Sequence, residues 1–158
     1  MIRSAVVGDV PVIQAMIREL AEYERVPEEA RATEEQLREA LFGERPAAFA
    51  HIAQTPEGEP VGFSLWFLSF STWRGVHGIY LEDLYVRPGV RGGGHGKALL
   101  AELARICVER GYERLEWSVL DWNLSAIDFY RSVGAVPMDE WTVNRLTDDA
   151  LRKLGGAE

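Results

Sequence analysis

Residues 91–96 read Arg91-Gly92-Gly93-Gly94-His95-Gly96 and stand between an apolar run, 79–86, and an apolar-periodic stretch that begins near Lys97. That order specifies a strand, a glycine turn and a helix N-terminus, which commits the middle of the chain to a β-turn-α unit. Glycines at such a junction lack the Cβ atoms that would keep a ligand off the backbone. The first helical N–H groups and the helix dipole attract an anion there. The turn is therefore a candidate phosphate seat.

Two familiar phosphate loops do not fit. A Walker A loop needs glycine where Arg91 stands and a hydroxyl where Ala98 stands. A dinucleotide fingerprint begun at Gly92 needs its third glycine at Lys97, and this turn follows about ninety residues of chain instead of opening a βαβ unit. The pattern that fits is Arg-x-x-Gly-x-Gly, which resembles the acetyl-coenzyme A (acetyl-CoA) motif of the GNAT N-acetyltransferases.

Length and hydrophobic content, 158 residues and 47%, suit one compact domain spanning residues 1–158. A formal charge of −8 with no basic run argues against a nucleic-acid partner, and an acidic surface favours a cationic substrate such as an amine. No apolar run approaches a membrane span and the N-terminus lacks a signal-like segment, so a cytoplasmic protein with no membrane partner is expected. Cys107 is alone and falls in an apolar helix stripe. His51, His77 and His95 lack metal-ligand spacing, so no metal is expected.

Along the chain, residues 2–7 read as a first strand, and a helix starts at Asp9 and Pro11 and runs to about Tyr23. Thr33-Glu34-Glu35-Gln36 has capping-box spacing before a second helix. Residues 49–53 and 61–70 read as a hairpin, 79–87 as the next strand, and 97–110 as a helix stopped by Gly111. Leu115, Trp117 and Val119 alternate as a strand, Asn123 caps a helix closed by Gly134, and residues 135–138 and 141–146 complete the sheet before a short helix capped at 147–149. The expected class is α/β in the mixed α+β sense: a GNAT-like, mostly antiparallel sheet with helices on both faces and a parallel crossover where helix 97–110 joins two strands.

Glu82 and Asp83 interrupt the apolar strand just ahead of the glycine turn. Simple alternation sends them to opposite faces unless a bulge re-aims one. Either the strand is an edge with both charges solvated, or one carboxylate pairs with a buried arginine, or one serves a cleft. Acyl transfer to nitrogen needs a neutral amine, so a carboxylate that accepts a proton, directly or through water, has a task beside the bound cofactor. Tyr130 follows Asn123 by seven residues, close to two helical turns, so both can share a face. A phenol can protonate a departing thiolate. Read blandly, Asn123 is only a cap, Tyr130 only a core residue, and Tyr23-Glu24 a solvated helix end.

Tyr80-Leu81-Glu82-Asp83, the glycine turn, Trp122-Asn123, Phe129-Tyr130 and residues 19–24 together resemble the diamine (spermidine/spermine) and thialysine N-acetyltransferase group, over most of the chain. The resemblance implies acetyl-CoA as co-substrate. It implies that the backbone of Leu84, Tyr85 and Val86 holds the pantetheine arm and that Arg91, Gly92, Gly93, Gly94, His95, Gly96 and Lys97 hold the pyrophosphate. Asn123, Ser125, Ala126 and Tyr130 are implied as further cofactor contacts, with Tyr130 the acid, Glu82 the base, and Tyr23, Glu24, Trp73, Glu82 and Asp83 facing the substrate. Polyamine-specific relatives carry an acid shortly before the tryptophan matching Trp73, where this chain has Ser71-Thr72-Trp73. That form looks more like relatives acting on thialysine or lysine-like amines. The expected reaction is direct acetyl transfer to the primary amine of a small cation by a homodimer. The alternatives are a non-catalytic acyl-CoA-binding domain and a protein N-acetyltransferase of the same fold.

Overall fold

The computed structural model describes residues 1–157, and these fall into two compact units, Met1–Leu120 and the chain from Asp121 onward. No described helix is long and apolar enough to cross a membrane.

The first unit carries a five-stranded sheet in the order of the chain: β1 (Ile2–Ser4), β2 (Phe49–Gln54), β3 (Pro60–Ser71), β4 (Val76–Val86) and β5 (Leu115–Glu116). The first three pairings are antiparallel and β4 to β5 is parallel, as the α-helical crossover requires. Helix α1 (Val10–Tyr23) and helix α2 (Glu34–Phe42) cover one face, where Val10, Ile13, Met16, Leu37 and Leu41 pack on Ala50, Ile52, Phe63 and Tyr85. Helix α3 (His95–Arg110) covers the other, where Leu99 meets Ala53 and Val61 with Leu84 and Val86 alongside. Burying apolar faces on both sides of the sheet at ~25 cal/mol per Å² supplies the main stabilisation of this unit.

Local signals act as their chemistry dictates. Thr33 Oγ1 accepts the Gln36 amide at 3.1 Å while Gln36 Oε1 accepts the Thr33 amide at 3.0 Å, a reciprocal capping box. Gly111, at φ +75°, ends α3 in the left-handed conformation that favours glycine. The first strand is shorter than the expected 2–7 because Val7–Asp9 turn into a 3-10 helix, with Asp9 taking the Val6 amide at 2.8 Å and the Arg3 guanidinium through two bonds.

The second unit holds α4 (Leu124–Ser132) and α5 (Asp148–Leu154). Asn123 caps α4 by accepting the Ala126 amide at 3.4 Å. Thr147 precedes α5 without a side-chain cap bond. Residues 135–138 and 141–146, expected as strands, are not strands. Their bonds are local, Trp141 N–H to the Met138 carbonyl and Asn144 to the Thr142 carbonyl, and Val136, Met138, Trp141, Val143 and Leu146 are exposed. Alternation marks a segment suited to pairing, but a strand exists only where a neighbour accepts its ladder, and none pairs with these segments among the described residues. The strand expected over Leu115, Trp117 and Val119 stops at Glu116 for the same reason: β4 offers it only Ile79 and Tyr80.

Candidate active site

The site is built around the second half of β4. Leu65 of β3 pairs with Asp83 but Trp66 pairs with Leu81, so Glu82 is an extra residue in a β-bulge. The bulge breaks the period of two. Leu81 lies opposite Trp66, whose ring has the Arg110 guanidinium of α3 at 6.0 Å, while Asp83 lies opposite Leu65 on the α1 face. Glu82 is left exposed, and Asp83 is partly buried.

Burial raises the Asp83 carboxyl to about 7, and the neighbouring charges of Glu82 and then Glu24 push in the same direction. Glu24, the residue just past α1, is itself raised by burial. The charges of Glu82 on β4 and of Glu24 past α1 thus both act on Asp83, which holds its proton up to about neutral pH. A cation entering among them would relieve their mutual repulsion, which makes the cluster a place for an ammonium group.

Beyond Asp83, β4 continues through Leu84, Tyr85 and Val86 to the glycine turn. β5 has left this edge at Tyr80, so β4 has no strand partner on that side from Leu81 onward among the described residues. An extended ligand with amide groups can pair with such an edge. The turn itself is glycine-dependent at two positions, Gly92 at φ +92° and Gly94 at φ +80°, where L side chains are strained. A Cβ at either would meet no protein atom within 4 Å, so the outer side of both residues is open to a ligand. Gly94 is the N-cap of α3, and the amides of His95, Gly96 and Lys97 follow as the first-turn donors that no intrahelical carbonyl satisfies. Open glycines, unsatisfied amides and the helix dipole fit a diphosphate, with Arg91 and Lys97 as exposed cations beside it. The backbone of β4 and α3 fits acetyl-CoA in this sense.

The remaining sequence-derived residues divide. Tyr23 is joined to the turn, its ring lying 5.0 Å from the Arg91 guanidinium. Trp73 is 80% exposed at the β3–β4 hairpin tip, and the seven steps of strand from Val76 to Asp83 span roughly 23 Å, so it sits at the far end of β4 from the bulge. In the second unit, Asn123 and Ser125 lie at the start of α4 with Ser125 Oγ donating to Asn123 Oδ1 at 3.4 Å; Ala126 is half-buried, and Tyr130 is half-buried with its ring 5.5 Å from Phe129. Sequence reasoning missed Glu19 and Arg87, whose ion pair at 3.1 Å joins α1 to the end of β4. Their separation of 68 residues leaves no local pattern to read.

The chain matches the model of the acetyltransferase (GNAT) family over residues 13–135. It is 40% identical over 166 residues to the thialysine N-epsilon-acetyltransferase of Bos taurus, covering 99% of this chain and 97% of that protein. It is 32% identical over 197 residues to an L-ornithine N5-acetyltransferase of Arabidopsis thaliana, covering 97% and 86%. Among solved structures, an integron cassette protein from the mobile metagenome of V. cholerae superposes with a TM-score of 0.82 at 26% identity, covering 99% and 98% of the two chains. The protein belongs to the GNAT acetyltransferase family and is an acetyl-CoA-dependent N-acetyltransferase.

Proposed function

We propose that the protein acetylates the side-chain primary amine of a small lysine-like amino acid, thialysine or ornithine in type, by direct attack on the thioester. The observation that carries this reading is the carboxylate cluster of Glu24, Glu82 and Asp83 placed one short strand segment ahead of the glycine turn. The activities named for the bovine and Arabidopsis relatives support it. Acetyl-CoA supplies an activated acetyl group, and Leu84, Tyr85 and Val86, with Arg91, Gly92, Gly93, Gly94, His95, Gly96 and Lys97, are the residues that would hold it.

Exposed Glu82 and half-buried Glu24 hold the incoming ammonium, and Asp83, in place of the Glu82 expected from the resemblance, takes its proton, directly or through water. A lysine-type amine near pKa 10.4 gives its proton to an ordinary carboxylate only against a gap of roughly 6.5 units. With Asp83 raised to about 7, the gap falls to roughly 3.5 units, which halves the cost of making the nucleophile. As the C–S bond breaks, Tyr130 gives a proton to the departing thiolate and is restored by the second proton that the nitrogen loses in becoming an amide, while Asn123, Ser125 and Ala126 support the cofactor at the start of α4. This assigns both compact units to one catalytic domain, a view supported by the family match, which runs across residue 120 without interruption. Exposed Phe70 and Trp73 at the hairpin tip provide apolar surface for a homodimer, with Trp73 facing substrate as part of that assembly, and the compartment is cytoplasmic.

The test is a pH–rate profile for thiol release from acetyl-CoA with thialysine or ornithine as acceptor. An acid limb set by Asp83 should be present in the wild type and should disappear, with most of the activity, in Asp83→Asn. A limb that persists unchanged in that variant would assign the proton to another group.

A further inference from the structure

Glu19 and Tyr23 are four residues apart on α1, so their side chains share one face of its last turns. Beyond the bulge, Asp83, Tyr85 and Arg87 alternate toward that same face. The two rows are bolted together at two levels. At the first, Glu19 accepts the Tyr85 hydroxyl at 3.1 Å and Arg87 Nε and Nη2 at 3.2 and 3.1 Å, while Arg87 Nη1 donates to the Pro60 carbonyl at 3.3 Å. At the second, one helical turn on, the Arg91 guanidinium stands 5.0 Å from the Tyr23 ring and 5.9 Å from the Tyr85 ring, and Arg91 Nε donates to the Val86 carbonyl at 3.0 Å.

These contacts join two parts of the site with different ligands. Arg91 opens the glycine turn, and Tyr23 is followed by Glu24, whose charge is felt at Asp83. Tyr85 is only 5% exposed, so its hydroxyl depends on Glu19 for a partner, and Glu19 gathers charge-assisted bonds that fix the helix end in one place. The ring of Tyr23 thus links the position of Arg91, at the mouth of the turn, to the amine end of α1.

Building on the acetyl transfer described above, we propose that Glu19 and Tyr23 are positioning residues that tie the amine-binding end of α1 to the phosphate turn through Arg87 and Arg91. Coenzyme A and the amine then bind cooperatively. The ring of Tyr23 is the active part, because the guanidinium sits over its face.

Isothermal titration of coenzyme A and of thialysine, each alone and in the presence of the other, tests this in the full chain and in Tyr23→Phe, Tyr23→Leu and Glu19→Gln. The wild type should bind thialysine at least about fivefold more tightly when loaded with coenzyme A. Tyr23→Phe keeps that ratio, whereas Tyr23→Leu and Glu19→Gln bring it below about twofold while the affinity for coenzyme A alone stays within about threefold. An unchanged ratio in the latter two variants overturns the proposal. Equal weakening of both ligands with a lowered Tm also overturns it, since that is what a loosened fold would do. A wild type that acetylates thialysine without coupling refutes the clamp and leaves the acetyl transfer standing. A wild type that binds no coenzyme A, or acetylates no small amine, removes both.

Discussion

Replacing Asp83 by Asn should make the protein more stable and nearly inactive, and the size of the gain follows from the position of its carboxyl. In the folded protein Asp83 keeps its proton to about pH 7, against 3.8 for the ordinary side chain. Between those values the native state binds the extra proton, so stability falls as pH rises from about 4 to 7 and the whole penalty is in place above 7. The difference of about 3 units converts at 1.36 kcal/mol each to a ceiling of about 4 kcal/mol, and relaxation of a partly buried group leaves about 2–4 kcal/mol. For a chain of this length that corresponds to a Tm gain of roughly 4–16 °C at pH 8. The gain should shrink toward zero near pH 4, because both proteins are then uncharged at this position. Thermal melts of wild type and Asp83→Asn from pH 5 to 8.5 read it directly. Parallel melting curves with equal pH dependence would refute the argument that the bulge forces Asp83 into a desolvated, negatively charged environment, and with it the reason for choosing Asp83 as the proton acceptor.

Gly94→Ala, which puts a Cβ on a left-handed residue at the open side of the turn, should cost about 1–2 kcal/mol of stability and at least about tenfold in coenzyme A affinity, both measurable by melts and titration. Gly96→Ala is the matched control for stability: its Cβ would meet only Val86 Cγ2 at 3.8 Å, so the fold accepts it and the Tm stays close to that of the wild type. Tyr130→Phe should lower kcat by about tenfold or more, a larger effect than on coenzyme A binding, and an unchanged kcat would remove it as the acid. His51 is buried and takes the Trp66 indole N–H on Nδ1 at 3.1 Å, which requires that nitrogen to be unprotonated. Burial lowers its folded pKa, so the unfolded chain binds the proton first and stability should be lost as pH falls below about 6.5. His51→Gln should abolish that acid-limb loss in urea titrations.

The parts of the fold that the chain announces are those written in a few neighbouring residues. Thr33 and Gln36 form their box, Tyr23 ends α1, Asn123 caps α4, and the glycines of the turn stand between strand and helix as their backbone freedom demands. The bulge at Glu82 is different. Alternation correctly raised the question of where the two carboxylates point, but the answer lies in the register against Leu65 and Trp66, seventeen and sixteen residues back along the chain from Glu82. The same limit explains why 135–138 and 141–146 were legible as strand-forming in composition yet form no ladder, and why the meeting of Glu19 with Tyr85 and Arg87 left no sequence trace. Pairing partners and ion pairs distant along the chain belong to the tertiary fold, not to local propensity.

The most direct measurement is a product analysis: acetyl-CoA is incubated with the protein and an equimolar mixture of thialysine, ornithine, lysine, spermidine and a lysine-containing peptide, and the acetylated species are identified by mass spectrometry. The acetyl group should appear first on the side-chain amine of the small amino acids, with one thiol released per acetyl transferred. Acetylation confined to the peptide, or coenzyme A bound with no acetylated product, would contradict it.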